Sequence, residues 1–195
     1  MKIAIVKYNA GNIFSVENAL KRIGYDSTVT DDPEQLISAD RVIFPGVGEA
    51  STTMSYLREH NLDKLILGLR QPVLGICVGL QLMCKRSEEG NVDCLGIFEE
   101  EVVCFDSAKQ KVPHMGWNSL EFLSSPLFKG IKERSYVYFV HSYYATLGLN
   151  TIATTGYGIP FSAALRKGNF YAVQFHAEKS AEVGELILKN FLELQ

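Results

Sequence analysis

Residues 73–81, Val-Leu-Gly-Ile-Cys-Val-Gly-Leu-Gln, decide the fold of this chain. The stretch begins as an apolar run of strand type, and a helical pattern starts directly after Cys77. Gly75 and Gly79 flank the cysteine and give the G-x-C-x-G form of a nucleophile elbow, a tight strand-to-helix turn that exposes a reactive side chain. We therefore predict a nucleophilic Cys77, with the Val78 amide placed to stabilise an oxyanion. A cysteine packed into a glycine-rich strand end is the alternative that this motif alone leaves open.

Short apolar runs alternate with helical patterns on both sides of this stretch, which predicts a parallel sheet with helices on both faces. The second half of the chain is richer in β-type runs separated by turns. We predict an α/β fold with a mostly parallel, flavodoxin-like central sheet and a smaller β-rich elaboration, in one domain over residues 1–195. The predicted strands are Ile3–Val6, Ser27–Thr30, Arg41–Phe44, Val73–Ile76, Glu101–Phe105, Tyr136–Val140, Ile152–Thr155, Ser162–Leu165 and Phe170–Phe175. The predicted helices begin near Ile13, Pro33, Glu49, Leu62, Val78 and Ala181.

Composition excludes several classes of protein. The 195 residues are 47% hydrophobic and 21% charged, which is a globular and not a disordered balance. A net charge of −3 leaves no broad basic surface, so we expect neither nucleic-acid nor membrane binding. No apolar run is long enough to span a bilayer and no secretion signal is recognisable, so we predict a cytoplasmic protein. The four cysteines form no C-x-x-C pair, and we expect mostly buried thiols without zinc or disulfides.

A second chemical motif lies far along the chain, in residues 174–180, Gln-Phe-His-Ala-Glu-Lys-Ser. It ends a β-type run with His176 and Glu178. In an extended segment these two side chains point to the same side, so Glu178 is expected to fix the imidazole tautomer of His176. A cysteine at an elbow together with a distant His-x-Glu is the combination that an activated thiol requires.

Three other segments carry weaker signals. Residues 44–48, Phe-Pro-Gly-Val-Gly, follow a strand and offer backbone amides that can cradle an anion. His141 ends an apolar strand and is either a substrate contact or a structural histidine. His114 lies beside the only tryptophan, Trp117, and surface packing and a partner interface both fit that segment. The remaining histidine, His60, is expected at a solvated helix end.

The motifs together resemble the class I (triad) glutamine amidotransferase family. Gly-Ile-Cys-Val-Gly-Leu-Gln at 75–81 and Gln-Phe-His-Ala-Glu-Lys-Ser at 174–180 carry the family resemblance. The segments at 8–12, 44–48, 112–118 and 138–144 are similar to those of the glutaminase subunits of imidazole glycerol phosphate synthases, so the resemblance covers essentially the whole chain.

The resemblance implies roles for individual residues. Cys77 would be the nucleophile, His176 the base and acid, and Glu178 the carboxylate that orients the imidazole. Where the family usually has proline after the histidine, this chain has Ala177, which removes some local rigidity but leaves both triad side chains. The first family motif usually begins with Asp-Tyr, where this chain has Lys7 before its tyrosine.

The resemblance also implies a substrate site and a partner interface. Oxyanion and substrate-binding roles fall on Gly46, Val47, Val78, Gln81, His141, Ser142 and Tyr143. The predicted partner interface comprises Asn12, Trp117, Asn118 and Lys179. No metal and no cofactor are implied.

The activity that the resemblance implies is hydrolysis of L-glutamine, with transfer of the ammonia to a (β/α)-barrel cyclase subunit. That partner would form imidazole glycerol phosphate and aminoimidazole carboxamide ribotide. Two alternatives stay open at this point. One is a glutaminase subunit of a paralogous synthase, for nucleotide-sugar amidation or pyridoxal phosphate synthesis. The other is a non-catalytic, partner-binding member of the same α/β architecture.

Overall fold

A computed structural model describes residues 1–8, 13–46 and 48–194 of the chain. Within these ranges the strands are β1 (Ile3–Val6), β2 (Thr28–Thr30), β3 (Arg41–Gly46), β4 (Val73–Cys77), β5 (Arg86–Ser87), β6 (Val92–Asp93), β7 (Glu101–Cys104), β8 (His114–Ser119), β9 (Tyr136–His141), β10 (Tyr143–Ala145), β11 (Thr151–Tyr157), β12 (Ile159–Lys167) and β13 (Phe170–Val173). The helices are α1 (Ile13–Arg22), α2 (Pro33–Ser38), α3 (Ala50–Glu59), α4 (Leu62–Gly68), α5 (Val78–Met83) and α6 (Ala181–Leu192), with 3-10 turns at Pro126–Phe128 and Ala177–Lys179.

The first half of the chain builds the parallel part of one large sheet, as predicted. Its strand order begins β2-β1-β3-β4-β13, and each of these neighbours is parallel to the next. Every residue of β1, β4 and β13 is buried, as expected for parallel strands covered on both faces. The carboxyl ends of β3, β4 and β13 therefore meet at one edge, where Gly46 lies opposite Cys77.

The β-rich elaboration comes from the second half, also as predicted. The large sheet continues from β13 through β12, β10 and β7, each antiparallel to its neighbour, and β11 pairs with the other edge of β12. Strands β8 and β9 form a separate antiparallel pair in which His114 lies opposite His141. The sequence analysis missed β8 because its inward positions carry polar residues instead of the alternating apolar side chains of an ordinary strand.

Local signals set the helix starts. Asp32 caps α2 by accepting a hydrogen bond from the Glu34 amide, and Pro33 occupies the first helical turn. Glu49 caps α3 in the same way through the Thr52 amide. The predicted helices are all present, and α5 is short, ending at Met83.

Two further expectations have clear outcomes. Cys84 is fully buried, whereas Cys104 is exposed, so the expectation of mostly buried thiols is wrong at that position; all four cysteines are free. His60 does end a helix and is exposed, as predicted. In the described part of the chain, no helix combines the length and apolar character that crossing a bilayer requires.

Candidate active site

Cys77 lies at a strained turn between β4 and α5. Its φ of 55° and ψ of −110° are values that a residue with a β-carbon rarely adopts. The strain arises because the chain passes from a strand to a helix without an intervening loop. It turns the thiol away from the strand direction, and the structure thus confirms the predicted elbow.

Gly79 makes this turn possible because α5 lies directly against the end of β3. A β-carbon at Gly79 would collide with the main-chain carbonyl oxygen of Phe44, and one at Gly46 would lie 2.5 Å from the Gly79 nitrogen. The two glycines thus let the backbones of β3 and α5 touch. This contact brings residues 44–46 beside the elbow.

His176 reaches the elbow from the neighbouring strand. β13 runs parallel to β4 with Val173 opposite Ile76, and the chain continues past the strand end to the histidine. The His176 Nδ1 lies 2.7 Å from Glu178 Oε1, and both side chains are buried. The sequence argument placed this pair in an extended segment. That reason is wrong, because residues Ala177–Lys179 form a 3-10 turn that brings the two side chains together.

The His176 imidazole is hydrogen-bonded on one side to the Cys77 thiol and on the other to Glu178. Burial lowers the pKa of His176, but its hydrogen bonds to Cys77 and Glu178 and their negative charges outweigh burial and raise the pKa to about 10. An imidazole with this pKa carries its proton at neutral pH. It can therefore act as an acid toward a leaving group beside the sulfur.

The main chain of His176 is fixed by β9. Its N–H donates to the Tyr138 carbonyl at 2.9 Å, and its carbonyl accepts from the buried Ser180 hydroxyl at 2.7 Å. The same Ser180 oxygen accepts from the Tyr138 N–H at 2.9 Å. Both main-chain groups of the histidine are thus tied to one residue of β9.

Tyr8 is a neighbour of Cys77 that the sequence analysis missed. Its side chain is buried at the carboxyl end of β1, and its hydroxyl donates to the Pro45 carbonyl. Burial raises the pKa of Tyr8, and the nearby Cys77 raises it further. The position of Tyr8 directly after a parallel strand was the signal available in the sequence, because such strand ends meet at the site.

A cavity of about 270 Å³ adjoins the elbow and brings most of the predicted residues together. Its lining comprises Gly48, Cys77, Val78, Gln81, Glu89, Val140, His141, Ser142, Tyr143, His176 and Lys179. Lys179, predicted at the partner interface, is exposed and lines this cavity. A larger groove of about 420 Å³ lies at the amino ends of β1 and β2, at residues 1–4 and 26–28, far from these side chains.

Glu89 is the second residue that the sequence analysis missed. It lies in the loop after β5 and lines the cavity, and its carboxylate accepts from the Ala50 N–H at 2.8 Å. Burial raises the pKa of Glu89, and the charge of Glu49 adds to this effect. Its sequence context, Glu-Glu-Gly in a polar loop, is typical of a solvated turn, so only the tertiary fold shows its place.

The predicted substrate contact His141 is almost wholly buried, with 6% of its surface exposed. Its Nδ1 lies 2.7 Å from the Tyr143 carbonyl and its Nε2 lies 3.0 Å from His114 Nδ1. His141 therefore reaches the cavity edge while both ring nitrogens face protein groups. The expectation of a surface role for His114 is wrong, because its side chain is 3% exposed and packs inside.

The other predicted site residues are dispersed. Gly46 lies behind the elbow, against α5. Trp117 is half exposed on the outer face of β8 and packs edge-on against Tyr138, with 5.9 Å between the ring centroids. The Asn118 amide points inward, to the Gly156 carbonyl and to His114. Asn12 and Val47 lie outside the described residues.

Comparisons with known proteins agree with this geometry. Residues 5–194 match the family model of class-I glutamine amidotransferases. The chain is 62% identical to the imidazole glycerol phosphate synthase subunit HisH of Bacteroides fragilis (strain YCH46) and 46% identical to that of Escherichia coli (strain K12), with all of each chain covered.

Solved structures share the fold at low sequence identity. A glutamine amidotransferase crystal structure has a TM-score of 0.74 at 22% identity and covers 97% of each chain. The structure of PurLQS from Thermotoga maritima has a TM-score of 0.73 at 15% identity and covers 98% of this chain and 97% of its own. With the family model matching nearly every residue, the chain belongs to the class-I glutamine amidotransferase family.

Proposed function

We propose that this chain is the glutaminase subunit of an imidazole glycerol phosphate synthase, and that Cys77, His176 and Glu178 are its catalytic triad. The proposal rests on one observation above all. The buried His176 ring contacts the Cys77 thiol on one side and the Glu178 carboxylate on the other. Full-length similarity to relatives of that name, at 46–62% identity, supports the choice of synthase.

The first half of the proposed reaction forms a thioester. The Cys77 sulfur attacks the side-chain carboxamide carbon of L-glutamine, and the carbonyl oxygen becomes an oxyanion near the Val78 amide. The protonated His176 gives its proton to the amide nitrogen. The carbon–nitrogen bond then breaks, ammonia leaves, and a γ-glutamyl thioester with Cys77 remains.

The second half releases glutamate. In the thioester the sulfur carries no negative charge, so one of the causes that raise the pKa of His176 disappears. The neutral imidazole takes a proton from a water molecule, which attacks the thioester carbon. The carbon–sulfur bond breaks, glutamate leaves, and Cys77 and His176 return to their starting state. Glu178 holds the ring and stabilises its charged form throughout.

The cavity suits a free amino acid. Its lining offers one carboxylate, Glu89, and one ammonium group, Lys179, within the described residues. These charges complement the α-amino and α-carboxylate groups of glutamine. Ser142 and Tyr143 also line this cavity, which is consistent with the substrate-binding role assigned to their segment.

The outer face of the β8–β9 sheet is the proposed docking surface for the (β/α)-barrel cyclase subunit. Met115, Trp117 and Tyr136 expose 63%, 51% and 60% of their surfaces there. Exposed aromatic and methionine side chains in one patch are typical of a protein interface. We propose that the two subunits act together in the cytoplasm, and that ammonia passes between them without meeting bulk water.

Replacement of the nucleophile tests the proposal. Cys77→Ala should reduce glutamine hydrolysis by the complex by at least about 1,000-fold, because no thioester can form, while the partner still uses added ammonia. The assay measures glutamate release and product formation from glutamine and from ammonium salt. The matched control is Cys104→Ser, at an exposed cysteine, which should leave both activities unchanged. Glutamine turnover that persists in Cys77→Ala would refute the proposed function.

A further inference from the structure

A chain of hydrogen-bonded polar groups, most of them buried, runs from β8 to the Cys77 sulfur. Its members are Asn118, His114, His141, the Tyr143 carbonyl, Gln81 and Gln174. Successive hydrogen bonds along it measure 3.3, 3.0, 2.7, 2.9 and 3.1 Å, and the last step, from Gln174 Nε2 to Cys77 Sγ, is 3.8 Å. Of these residues, Gln81, His141 and Tyr143 line the substrate cavity.

The Tyr143 carbonyl fixes the direction of this chain, since a main-chain carbonyl can only accept. It lies 2.7 Å from His141 Nδ1 and 2.9 Å from Gln81 Nε2. Both nitrogens must therefore carry hydrogens that point at it. The amide nitrogen of Gln81, and not its oxygen, thus faces this side of the site.

The orientation of Gln174 follows from that of Gln81. The second hydrogen of Gln81 Nε2 is directed to Gln174 Oε1 at 3.1 Å. With its oxygen engaged there, Gln174 presents its amide nitrogen to the Cys77 sulfur. Gln174 is completely buried, so no water competes with the sulfur for this donor.

The far end of the chain is fixed in the same manner. Asn118 Nδ2 donates to the Gly156 carbonyl at 2.9 Å, and Asn118 Oδ1 accepts from the Ser119 N–H, so its nitrogen also faces His114 Nε2. His114 Nε2 is then an acceptor and its Nδ1 a donor to His141. Burial lowers the pKa of His114 to about 4 and that of His141 to about 3, which keeps both rings neutral, as this pattern of single protons requires.

We propose that Gln174 is a further catalytic residue, whose amide N–H stabilises the Cys77 thiolate, and that the Tyr143 carbonyl, by orienting Gln81, keeps Gln174 in this orientation. An N–H donor directed at a sulfur favours its anionic form, which is the attacking species. The inference rests on the proposed function in taking Cys77 as the nucleophile.

The test of Gln174 is the pH dependence of Cys77 alkylation by iodoacetamide, followed in the isolated chain by mass spectrometry of the Cys77 peptide. Gln174→Met removes the donor at similar volume. Gln174→Glu keeps an oxygen for Gln81 and replaces the sulfur-facing nitrogen by oxygen. We expect both variants to shift the alkylation midpoint upward, by roughly one pH unit for Gln174→Met and by more for Gln174→Glu.

A matched control separates this effect from loss of packing. Asn190 is another buried amide, which donates to the Leu127 and Lys129 carbonyls at 3.0 and 2.8 Å from α6. Asn190→Leu should lower the thermal midpoint of unfolding and leave the alkylation midpoint unchanged. An unmoved midpoint in folded Gln174→Met overturns the role of Gln174, even if Gln174→Glu shifts it, because charge repulsion alone would explain the latter.

Failure of the Gln174 prediction would leave the proposed function intact, because that function is judged by glutamine turnover in Cys77→Ala.

Discussion

At the scale of single residues, the site is built from groups held in costly states. Cys77 has a positive φ that its β-carbon disfavours, and His176 is buried beside a carboxylate with its pKa raised to about 10. Each of these states persists only because the surrounding structure compensates for it. The compensation for His176 comes mainly from the Cys77 and Glu178 side chains. Cys77 and Glu178 therefore both help His176 to retain its imidazole proton.

A prediction at this scale compares Glu178→Gln with His176→Ala. The first variant should keep a hydrogen-bonding group beside Nδ1 while losing the negative charge, so the base remains but is badly oriented. We expect its kcat for glutamine hydrolysis to exceed that of His176→Ala by roughly 10- to 100-fold.

The first measurement is steady-state glutamate release by the complex. The second is an NMR titration of the His176 imidazole in Glu178→Gln. The pKa of His176 should fall in this variant because one of its raising causes is gone. Equal losses of kcat in the two variants would contradict the orienting role of Glu178.

At the scale of secondary-structure elements, the critical contact is that between the end of β3 and the start of α5. Here two backbones touch with no side chain between them, at Gly46 and Gly79. The contact fixes where α5 begins, and with it the direction of the Val78 amide. The packing of β3 against α5 therefore determines both where the helix starts and how the Val78 amide is directed.

Gly79→Ala should disturb this contact. The new methyl group would overlap the Phe44 carbonyl, so β3 and α5 must separate, and we expect a loss of about 2–3 kcal/mol in the free energy of unfolding together with reduced turnover. Gly68→Ala, at the end of α4 in open space, should instead be neutral or gain about 0.5 kcal/mol. Urea unfolding of both variants provides the measurement, and equal stabilities would show that the contact is not tight.

At the scale of the whole molecule, the buried histidines shape the dependence of stability on pH. Burial lowers the pKa of His114 and His141 to about 4 and 3, below the value near 6.5 expected when unfolded. Below pH 6.5 the unfolded chain therefore binds protons that the folded chain does not bind. The free energy of unfolding consequently falls as the pH falls below 6.5. His176 acts in the opposite direction, because its raised pKa adds stability below pH 6.5 that is lost as pH rises toward 10.

These signs predict greatest stability near pH 6.5, as far as the three histidines determine it. Between pH 6.5 and 4, His114→Phe should flatten the decline in the free energy of unfolding by about 1.4 kcal/mol per pH unit. Denaturant unfolding of both proteins at several pH values measures the slopes. His60→Phe, at an exposed helix end, should leave the slope unchanged. Identical slopes in wild type and His114→Phe would mean that folding does not lower the pKa of His114.

The sequence was informative wherever the chemistry is local in the chain. The elbow at Cys77 was readable because strand, glycine spacing and helix follow one another directly. Glu89 and Tyr8 were not, because each reaches the site from a distant segment whose own pattern indicates only a polar loop or a strand end. The β8 strand was missed for a related reason, since its inward His114 replaces the apolar residue on which strand recognition depends.

The double attachment of His176 to Tyr138 has a mechanical consequence. Cys77 is carried by the large sheet, whereas the main chain of His176 is hydrogen-bonded to the small β8–β9 sheet, through Ser180 at its carbonyl and directly at its N–H. The distance between the Cys77 sulfur and the His176 imidazole therefore depends on the relative position of the two sheets. A partner that binds the exposed aromatic face of the small sheet would therefore be connected to the His176 ring through main-chain hydrogen bonds that do not cross the cavity beside Cys77.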